Sequence, residues 1–224
     1  MSMMPQSEKV FPQLMEVLIQ RFDTVRTFFH LKNSSEKAFI PEKEYRFPIE
    51  LLPIDFLNDI KNKPWSKEQQ EVDIVLMHPN ENGFVARLRK SDKCYLQFKV
   101  QKESRLWEEV SIPISAEETM LVFETLKEFL EPRVVVSKKR KWYSESDKLR
   151  LYLDEVEGLG KFVEIESEDQ SADTFMKKFG IDAKLSAEPY GKLLLQKPID
   201  MEKSLDMALK QMAFPAMNKL SEPL

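Results

Sequence analysis

Residues 149–166 read LRLYLDEVEGLGKFVEIE and contain two predicted strands that alternate apolar and polar side chains. In the first strand three leucines alternate with Arg150, Tyr152 and Asp154, and in the second strand apolar residues alternate with Glu164 and Glu166. Because successive strand residues point to opposite faces, both glutamates lie on one face. Two carboxylates at this spacing repel each other unless a cation lies between or opposite them, and Mg²⁺ and Mn²⁺ prefer hard oxygen ligands. The pattern predicts either a divalent-metal site or the solvent-facing side of an antiparallel strand.

A second charged strand lies near the start of the chain, where residues 42–46 read EKEYR. In an extended conformation Glu42, Glu44 and Arg46 share one face. The combination of this strand with the late segment resembles the CYTH family of triphosphate tunnel metalloenzymes, which includes class IV adenylate cyclases, thiamine triphosphatases and inorganic triphosphatases. The resemblance covers roughly residues 40–195, and its most specific part is DEVEGLGKFVEIE at residues 154–166.

The resemblance implies an α+β fold: a closed antiparallel eight-stranded β-barrel with a polar lumen that forms a tunnel, and helices packed outside. The chain divides accordingly into a helical extension at residues 1–39, a barrel at 40–197 and a C-terminal helix at 198–224. Alternation and turn residues predict strands near Glu71–His78, Gly83–Lys90, Cys94–Gln101, Leu106–Ile114, Arg133–Ser144, Lys148–Glu157 and Gly160–Ser167, with turns at Asn82-Gly83 and Ser91-Asp92. Helices are predicted at Pro53–Asn62, from Ser115 to about Leu130, at Asp173–Phe179 and from Pro198 to Phe214.

The first 40 residues carry apolar side chains at helical spacing, which predicts one amphipathic helix from Pro12 to His30, followed by the polar run Asn33-Ser34-Ser35. This helix has no counterpart in the core of the family. It either packs on the outside of the barrel or forms a homodimer contact. Docking to a membrane or to another protein is the remaining alternative.

For the acidic positions, the resemblance implies four metal ligands, Glu42, Glu44, Glu164 and Glu166, which bind Mg²⁺ or Mn²⁺. Two further residues are implied to be catalytic. Asp154 is an additional acid near the metal or the water, and Arg46 occupies a position that orients the nucleophilic water. Arg46 departs from the lysine that the family usually has there, so the charge is kept while the reach of the side chain changes.

For the basic positions, the resemblance implies substrate-binding roles for Arg87, Arg89, Lys99, Lys138, Arg140 and Lys192. Alternation alone does not choose between Lys138 with Arg140 and Lys139 with Lys141, and the family pattern selects the first pair together with Tyr143. Arg105 and Glu109 follow a family position, but Trp107 stands where an acidic residue is usual, so no contribution is expected from that strand. Lys192 belongs to a closing C-terminal helix or faces solvent.

Composition excludes several classes of protein. The 224 residues are 42% hydrophobic and 32% charged with a net charge of −4, so no global charge favours nucleic acid or an anionic membrane. Cys94 is the single cysteine, which excludes an internal disulfide and a cysteine-based zinc site. No apolar run reaches membrane-spanning length, and the N-terminus lacks a basic region followed by an apolar stretch, so we expect a cytoplasmic protein. None of the five glycines forms a P-loop, which excludes nucleotide binding of that kind.

The chemistry of a triphosphate explains a mixture of acids and bases in one lumen. Arginine and lysine bind phosphate oxygens, whereas carboxylates repel phosphate and belong to a bridging metal. The leading hypothesis is therefore a metal-dependent hydrolase that acts on a small molecule containing a triphosphate, either inorganic or organic. The alternatives are a class IV adenylate cyclase and a polyphosphate-binding module without catalysis.

Overall fold

Eight strands form a closed antiparallel barrel in the computed structural model, which describes residues 7–32, 40–79, 84–103 and 105–213. The strands are β1 (Ile40–Pro48), β2 (Gln69–Met77), β3 (Phe84–Lys90), β4 (Cys94–Gln101), β5 (Leu106–Ile114), β6 (Glu131–Ser146), β7 (Leu149–Val156) and β8 (Gly160–Ser167). Their order around the barrel is β1-β5-β4-β3-β2-β6-β7-β8, so β8 closes the sheet onto β1. The predicted fold class is confirmed, and the predicted strands are present with ends shifted by at most a few residues.

The closing pair brings the two charged segments of the sequence together. In the β1–β8 register Glu44 lies opposite Glu166, and Arg46 lies opposite Glu164. Between these positions Ile165 is completely buried on the outer face of the barrel. Alternation therefore turns these four charged residues inward and the apolar residues between them outward.

Helices cover the outer face of the barrel. Seven α-helices are described: α1 (Ser7–Arg21), α2 (Asp23–Lys32), α3 (Ile54–Lys61), α4 (Ala116–Lys127), α5 (Ser171–Lys178), α6 (Tyr190–Leu194) and α7 (Met201–Ala213). Helix α4 begins as the sequence predicts, because the Ser115 hydroxyl accepts from the Glu118 N–H and the Glu118 carboxylate accepts from the Ser115 N–H. Helices α3 and α5 match their predictions within two residues.

Two apolar clusters lie between the barrel and its helices. The first joins the outer faces of β2 to β5 with α1, α2, α4 and α7, through residues such as Leu18, Ile74, Phe98, Val122 and Met212. The second joins the outer faces of β1, β7 and β8 with α3 and α5, through residues such as Phe47, Phe56, Leu151, Ile165 and Phe175. The protein core is therefore outside the barrel wall, which leaves the inward positions available for polar residues.

The N-terminal segment differs from its prediction as one helix from Pro12 to His30. It forms two helices that meet at Phe22, and α1 already begins at Ser7. The Arg26 guanidinium donates to the carbonyls of Ile19 and Gln20, which are among the last carbonyls of α1, and so stabilises the break. Both helices pack on the barrel through the first cluster, as the first of the three sequence-based alternatives expects.

The C-terminal helix begins at Met201, three residues after the predicted start at Pro198, and it packs on the barrel through Ala208 and Met212. Phe214, the turn at Asn82-Gly83 and the run Asn33-Ser34-Ser35 lie outside the described residues. The domain boundaries and the homodimer remain predictions. Within the described residues, none of the helices combines the length and the apolar character that a membrane span requires.

Candidate active site in the barrel lumen

The inward faces of the strands carry charged residues of both signs, and together they form the candidate site. The acidic members are Glu42, Glu44, Glu71, Asp73, Glu109, Asp154, Glu164 and Glu166, and the basic members are Arg46, Arg87, Arg89, Lys99, Lys138 and Arg140. Most of them are buried; Asp154, for example, has no exposed surface. Charged side chains at such positions require partners, because an unpaired buried charge is strongly unfavourable.

Two carboxylate triads lie next to each other in the lumen and share Glu44. One consists of Glu42, Glu44 and Glu109, and the other of Glu44, Glu164 and Glu166. Within each triad, one oxygen from each residue lies within 4.8 Å of the others. Burial raises the pKa of Glu42 and of Glu166, and neighbouring carboxylates raise both further against the opposing effects of Lys99 and nearby hydrogen bonds. At these two positions the negative charge is incompletely compensated.

Arg46 bridges the carboxylates that form the inner part of these triads. Its Nη2 lies 2.5 Å from Glu44 Oε2, and its Nε lies 2.6 Å from Glu164 Oε2. Burial alone would raise the pKa of both glutamates, but Arg46 and a second cation in each case outweigh it. They hold the pKa of Glu44 well below its ordinary value and lower that of Glu164 to about 2. Arg46 therefore keeps these two carboxylates ionised and fixed in place.

Lys99 lies among the carboxylates of the first triad. Its Nζ lies 2.5 Å from Glu42 and 2.8 Å from Glu109, and it also contacts Glu44. Burial would lower the pKa of Lys99, but these three carboxylates hold it well above its ordinary value. The ammonium is therefore a permanent cation next to the first triad.

Three arginines form a second group in the lumen. Arg89 binds Asp73 with two hydrogen bonds of 2.7 and 2.8 Å, and Arg140 binds Asp154 in the same way at 2.7 and 2.6 Å. Arg140 also donates to Glu164 at 3.1 Å and so connects this group to the second triad. The third member, Arg87, donates to the Gln97 side chain at 2.8 Å. These guanidinium groups have the planar geometry that binds phosphate oxygens in pairs.

Lys138 differs from the other lumen cations. Its Nζ lies 3.2 Å from Glu71 and 3.9 Å from Asp154, and it stands over the ring of Tyr190. Burial and then the nearby Arg140 lower its pKa, because a buried ammonium among other cations is disfavoured. In the described lumen, Lys138 is therefore a cation whose positive charge is only partly compensated by its acidic neighbours.

One end of the lumen is apolar and is covered by α6. Beyond the charged residues, inward positions carry Val134, Val136, Val156 and Phe162, which pack against Tyr190 and Leu194 of α6. The Tyr190 hydroxyl donates to Asp154 at 3.0 Å. The segment before α6 is fixed to the barrel because the Ala187 N–H donates to the Arg46 carbonyl at 2.6 Å and Arg105 donates to the carbonyls of Ser186 and Ala187.

The opposite end opens into a cavity of about 320 Å³, which we call the mouth. It is lined by Phe28, Ile40, Pro41, Glu42, Glu109, Ser111, Asp147, Lys148, Arg150, Glu166, Ser167 and Glu168. Glu42, Glu109 and Glu166 belong to the two triads, so the mouth leads directly to the acidic part of the lumen.

The structure brings together all of the site residues that the sequence predicts, with the exception of Lys192. Lys192 lies on the surface with 63% of its side chain exposed and pairs with Glu188, so it is outside the lumen and its role in substrate binding stays a prediction. The solvent-facing alternative applies because α6 turns Tyr190, and not Lys192, towards the lumen. Tyr143 also lies outside the lumen, next to Trp65 in the second apolar cluster.

Several lumen residues are absent from the prediction. Glu109 does contribute, contrary to the expectation for its strand, because its own inward orientation does not depend on the identity of Trp107. Glu71, Asp73 and Gln97 are also inward, and Glu71 and Asp73 stand at the two-residue spacing that identifies the other lumen residues. That spacing could have been used to predict both residues from the sequence. The role of Tyr190, on a short helix, had no comparable pattern.

The model of the CYTH domain family matches residues 41–187 of this chain. The structure of a conserved hypothetical protein from Pyrococcus furiosus is similar, with 26% identity and a TM-score of 0.55, and the match covers 68% of this chain and 99% of that protein. Two proteins from Pyrococcus horikoshii are also similar in fold. They have 23% and 19% identity, TM-scores of 0.55 and 0.54, and matches that cover 70% and 69% of this chain and 99% and 98% of theirs. No curated protein matches the chain.

Proposed function

The chain belongs to the CYTH domain family, and we propose that it binds a triphosphate in the barrel lumen and hydrolyses it with a divalent cation. One observation carries this proposal: two carboxylate triads that share Glu44 lie in the same lumen as a set of buried arginines and lysines. Phosphoryl transfer depends mainly on positioning and on neutralising charge, and this arrangement is suited to both.

The donor set fits a hard divalent cation. Both triads offer only carboxylate oxygens, and the raised pKa of Glu42 and Glu166, caused by burial and by nearby carboxylates, indicates negative charge that a cation would compensate. We propose Glu42, Glu44, Glu164 and Glu166 as ligands for Mg²⁺ or Mn²⁺, with Glu109 as a further oxygen donor. When bound, the cation neutralises phosphate charge and acts as a Lewis acid on the phosphoryl group.

The basic residues bind the phosphate oxygens by exchanging partners. Five of these residues contact a lumen carboxylate or amide: Arg87, Arg89, Arg140, Lys99 and Lys138. A triphosphate replaces some of these contacts with charge-assisted hydrogen bonds. The carboxylates left behind have the divalent cation as their new partner, so the two ligands support each other.

Arg46 and Asp154 act as positioning residues in this proposal. Arg46 is engaged by Glu44 and Glu164 and so fixes the carboxylates rather than the nucleophilic water. Asp154 accepts from Arg140 and from Tyr190 and so aligns the Arg140 guanidinium. For Arg46 this proposal differs from the role in orienting water that the family resemblance implies.

The test is an assay of released phosphate and of cyclic AMP over a panel that contains tripolyphosphate, ATP and thiamine triphosphate, with Mg²⁺ or Mn²⁺ and with excess EDTA. We expect phosphate release that requires the metal. Replacing Glu166→Gln should lower kcat by a factor of about 100 or more with little change in the melting temperature, because its charge is needed for the cation and not for folding. The matched control is Glu155→Gln, an exposed glutamate on the outer face of β7.

Other outcomes of this assay contradict the proposal in different ways. Cyclic AMP as the main product from ATP would identify a cyclase. Metal-dependent binding of tripolyphosphate without turnover would identify a binding module. Full activity in excess EDTA would reject the metal site.

We place this activity in the cytoplasm as part of the same proposal. The single cysteine, Cys94, is buried and unpaired, as is usual for proteins of reducing compartments.

A further inference from the structure

The mouth of the lumen has an apolar wall to which the N-terminal extension contributes. Phe28 of α2 lines it together with Ile40 and Pro41 of β1. The family match begins at residue 41, so Phe28 and Ile40 lie outside the region that the family model describes. This wall is therefore a feature of the present chain that its family membership does not account for.

The apolar wall is exposed to solvent although it adjoins a charged site. Ile40 has 46% of its surface exposed, Pro41 is exposed, and Phe28 is only partly buried. An inorganic triphosphate is charged along its whole length and gains nothing from contact with such a wall. An organic ring gains both from removing apolar surface from water and from contact with the aromatic ring.

The shape of the lumen determines which part of a substrate meets this wall. The far end is occupied by the cluster of Val134, Phe162, Tyr190 and Leu194. The cations that suit phosphate lie between that cluster and the mouth. A triphosphate that enters from the mouth with its terminal phosphate first therefore leaves any organic group at the mouth, against Phe28.

We propose that Phe28, Ile40 and Pro41 form a binding site for the organic group of the substrate, and that the substrate class is an organic triphosphate with a flat ring. The mouth, at about 320 Å³, is at the lower end of the range for sites that bind small organic ligands, about 300–1,000 Å³. This assignment depends on the proposed function, because it concerns the same site. It gives the N-terminal helices a role in substrate selection.

The experiment compares Phe28→Ala with the unmodified protein, using tripolyphosphate, ATP and thiamine triphosphate as substrates with Mg²⁺. We expect KM to rise by about tenfold for the organic triphosphate with the lowest KM and to change less than about twofold for tripolyphosphate, with kcat nearly unchanged for both. The reason is that Phe28 contacts the ring only, whereas all substrates share the phosphate contacts.

Phe11→Ala is the matched control for a structural effect. Phe11 belongs to the same extension, but its ring packs on Phe84 and Phe98 of the barrel wall, with centroids 5.0 and 5.7 Å apart, and it does not line the mouth. We expect Phe11→Ala to lower the melting temperature and to leave the ratio of KM between tripolyphosphate and the organic triphosphates unchanged. If Phe28→Ala fails to fold, Ile40→Ser at the exposed edge of the wall replaces it. We then expect the same difference in KM change between the organic triphosphate and tripolyphosphate, but a smaller one.

The outcomes separate this inference from the proposed function. Equal KM changes for tripolyphosphate and the organic triphosphates, or no change for either, would overturn the ring site. Hydrolysis of tripolyphosphate alone would also overturn it and leave the proposed function intact. Failure to hydrolyse any triphosphate in the presence of metal would reject both.

Discussion

At the scale of single residues, the lumen cations already have acidic partners in the lumen. Arg140 is bound to Asp154 by two short hydrogen bonds, and Arg89 is bound to Asp73 in the same way. A buried ion pair contributes little net stability, since desolvation offsets the attraction, but removing one partner leaves an uncompensated charge. The removal of a single lumen cation should therefore destabilise the unliganded protein, although the cations also repel one another.

Replacing Arg140→Met should lower the free energy of unfolding by roughly 3–5 kcal/mol, because Asp154 would be left buried without its main partner. Urea denaturation measures the change. The control is Lys139→Met, an exposed neighbour on the other face of β6, which should cost less than about 0.5 kcal/mol. Equal, small effects for both variants would contradict the view that the pair is a coupled buried unit.

At the same scale, the alternation of side chains along the strands predicts only part of the candidate site. For Glu42, Glu44, Glu164 and Glu166 alternation places the residues of each strand on one face, but the family resemblance is needed to identify that face as the lumen. For Lys192 the resemblance, and not alternation, implies a position at the site, and the rotation of its five-residue helix depends on packing against β6 and β8, which no local pattern records. The pairings of the lumen cations depend on register between strands distant in sequence, and alternation does not specify register.

At the scale of elements, hydrogen bonds at the start of α4 connect this helix to α2. The Glu118 carboxylate completes the capping box with Ser115 and also accepts from the Thr24 hydroxyl of α2 at 2.6 Å. Burial raises the pKa of Glu118, but these hydrogen bonds outweigh it and lower the pKa below its ordinary value. The ionised form is therefore favoured in the folded protein.

This shift predicts a pH dependence of stability with a definite sign. A carboxylate whose pKa is lower in the folded state stabilises the protein above its unfolded pKa, about 4.3, and this contribution is lost as the pH falls through the folded pKa. Glu118→Gln should therefore lower the melting temperature at pH 7 and lose this effect towards pH 3. Thermal unfolding over that range measures it, with the exposed Glu117→Gln of the same turn as control. A difference that is independent of pH would contradict the ionic contribution.

At the scale of the whole molecule, the net charge of −4 does not favour a polyanion, so attraction must come from the lumen itself. The described lumen contains more carboxylates than cations, which means that phosphate and a divalent cation should each bind better when the other is present. Such coupling is reciprocal by thermodynamic linkage.

The rise in melting temperature with tripolyphosphate and Mg²⁺ together should therefore exceed the sum of the rises with each alone. A ligand at about 100 times its Kd adds about 2.7 kcal/mol of stability, which is measurable by thermal shift. In Glu166→Gln the excess should shrink, because one carboxylate charge is removed from the second triad. Strictly additive shifts in the unmodified protein would argue against a shared site.

The closure of β1 onto β8 has a consequence for how the chain reaches its native state. Both partners of β1, the strands β5 and β8, follow it by dozens of residues, so pairing of β1 requires contacts between segments that are far apart in the sequence and is expected to be slow. Since the second triad joins Glu44 of β1 to Glu164 and Glu166 of β8, it is absent from any intermediate that lacks this seam. During refolding, catalytic competence should consequently appear in the slowest phase, after the helices have already gained their ellipticity.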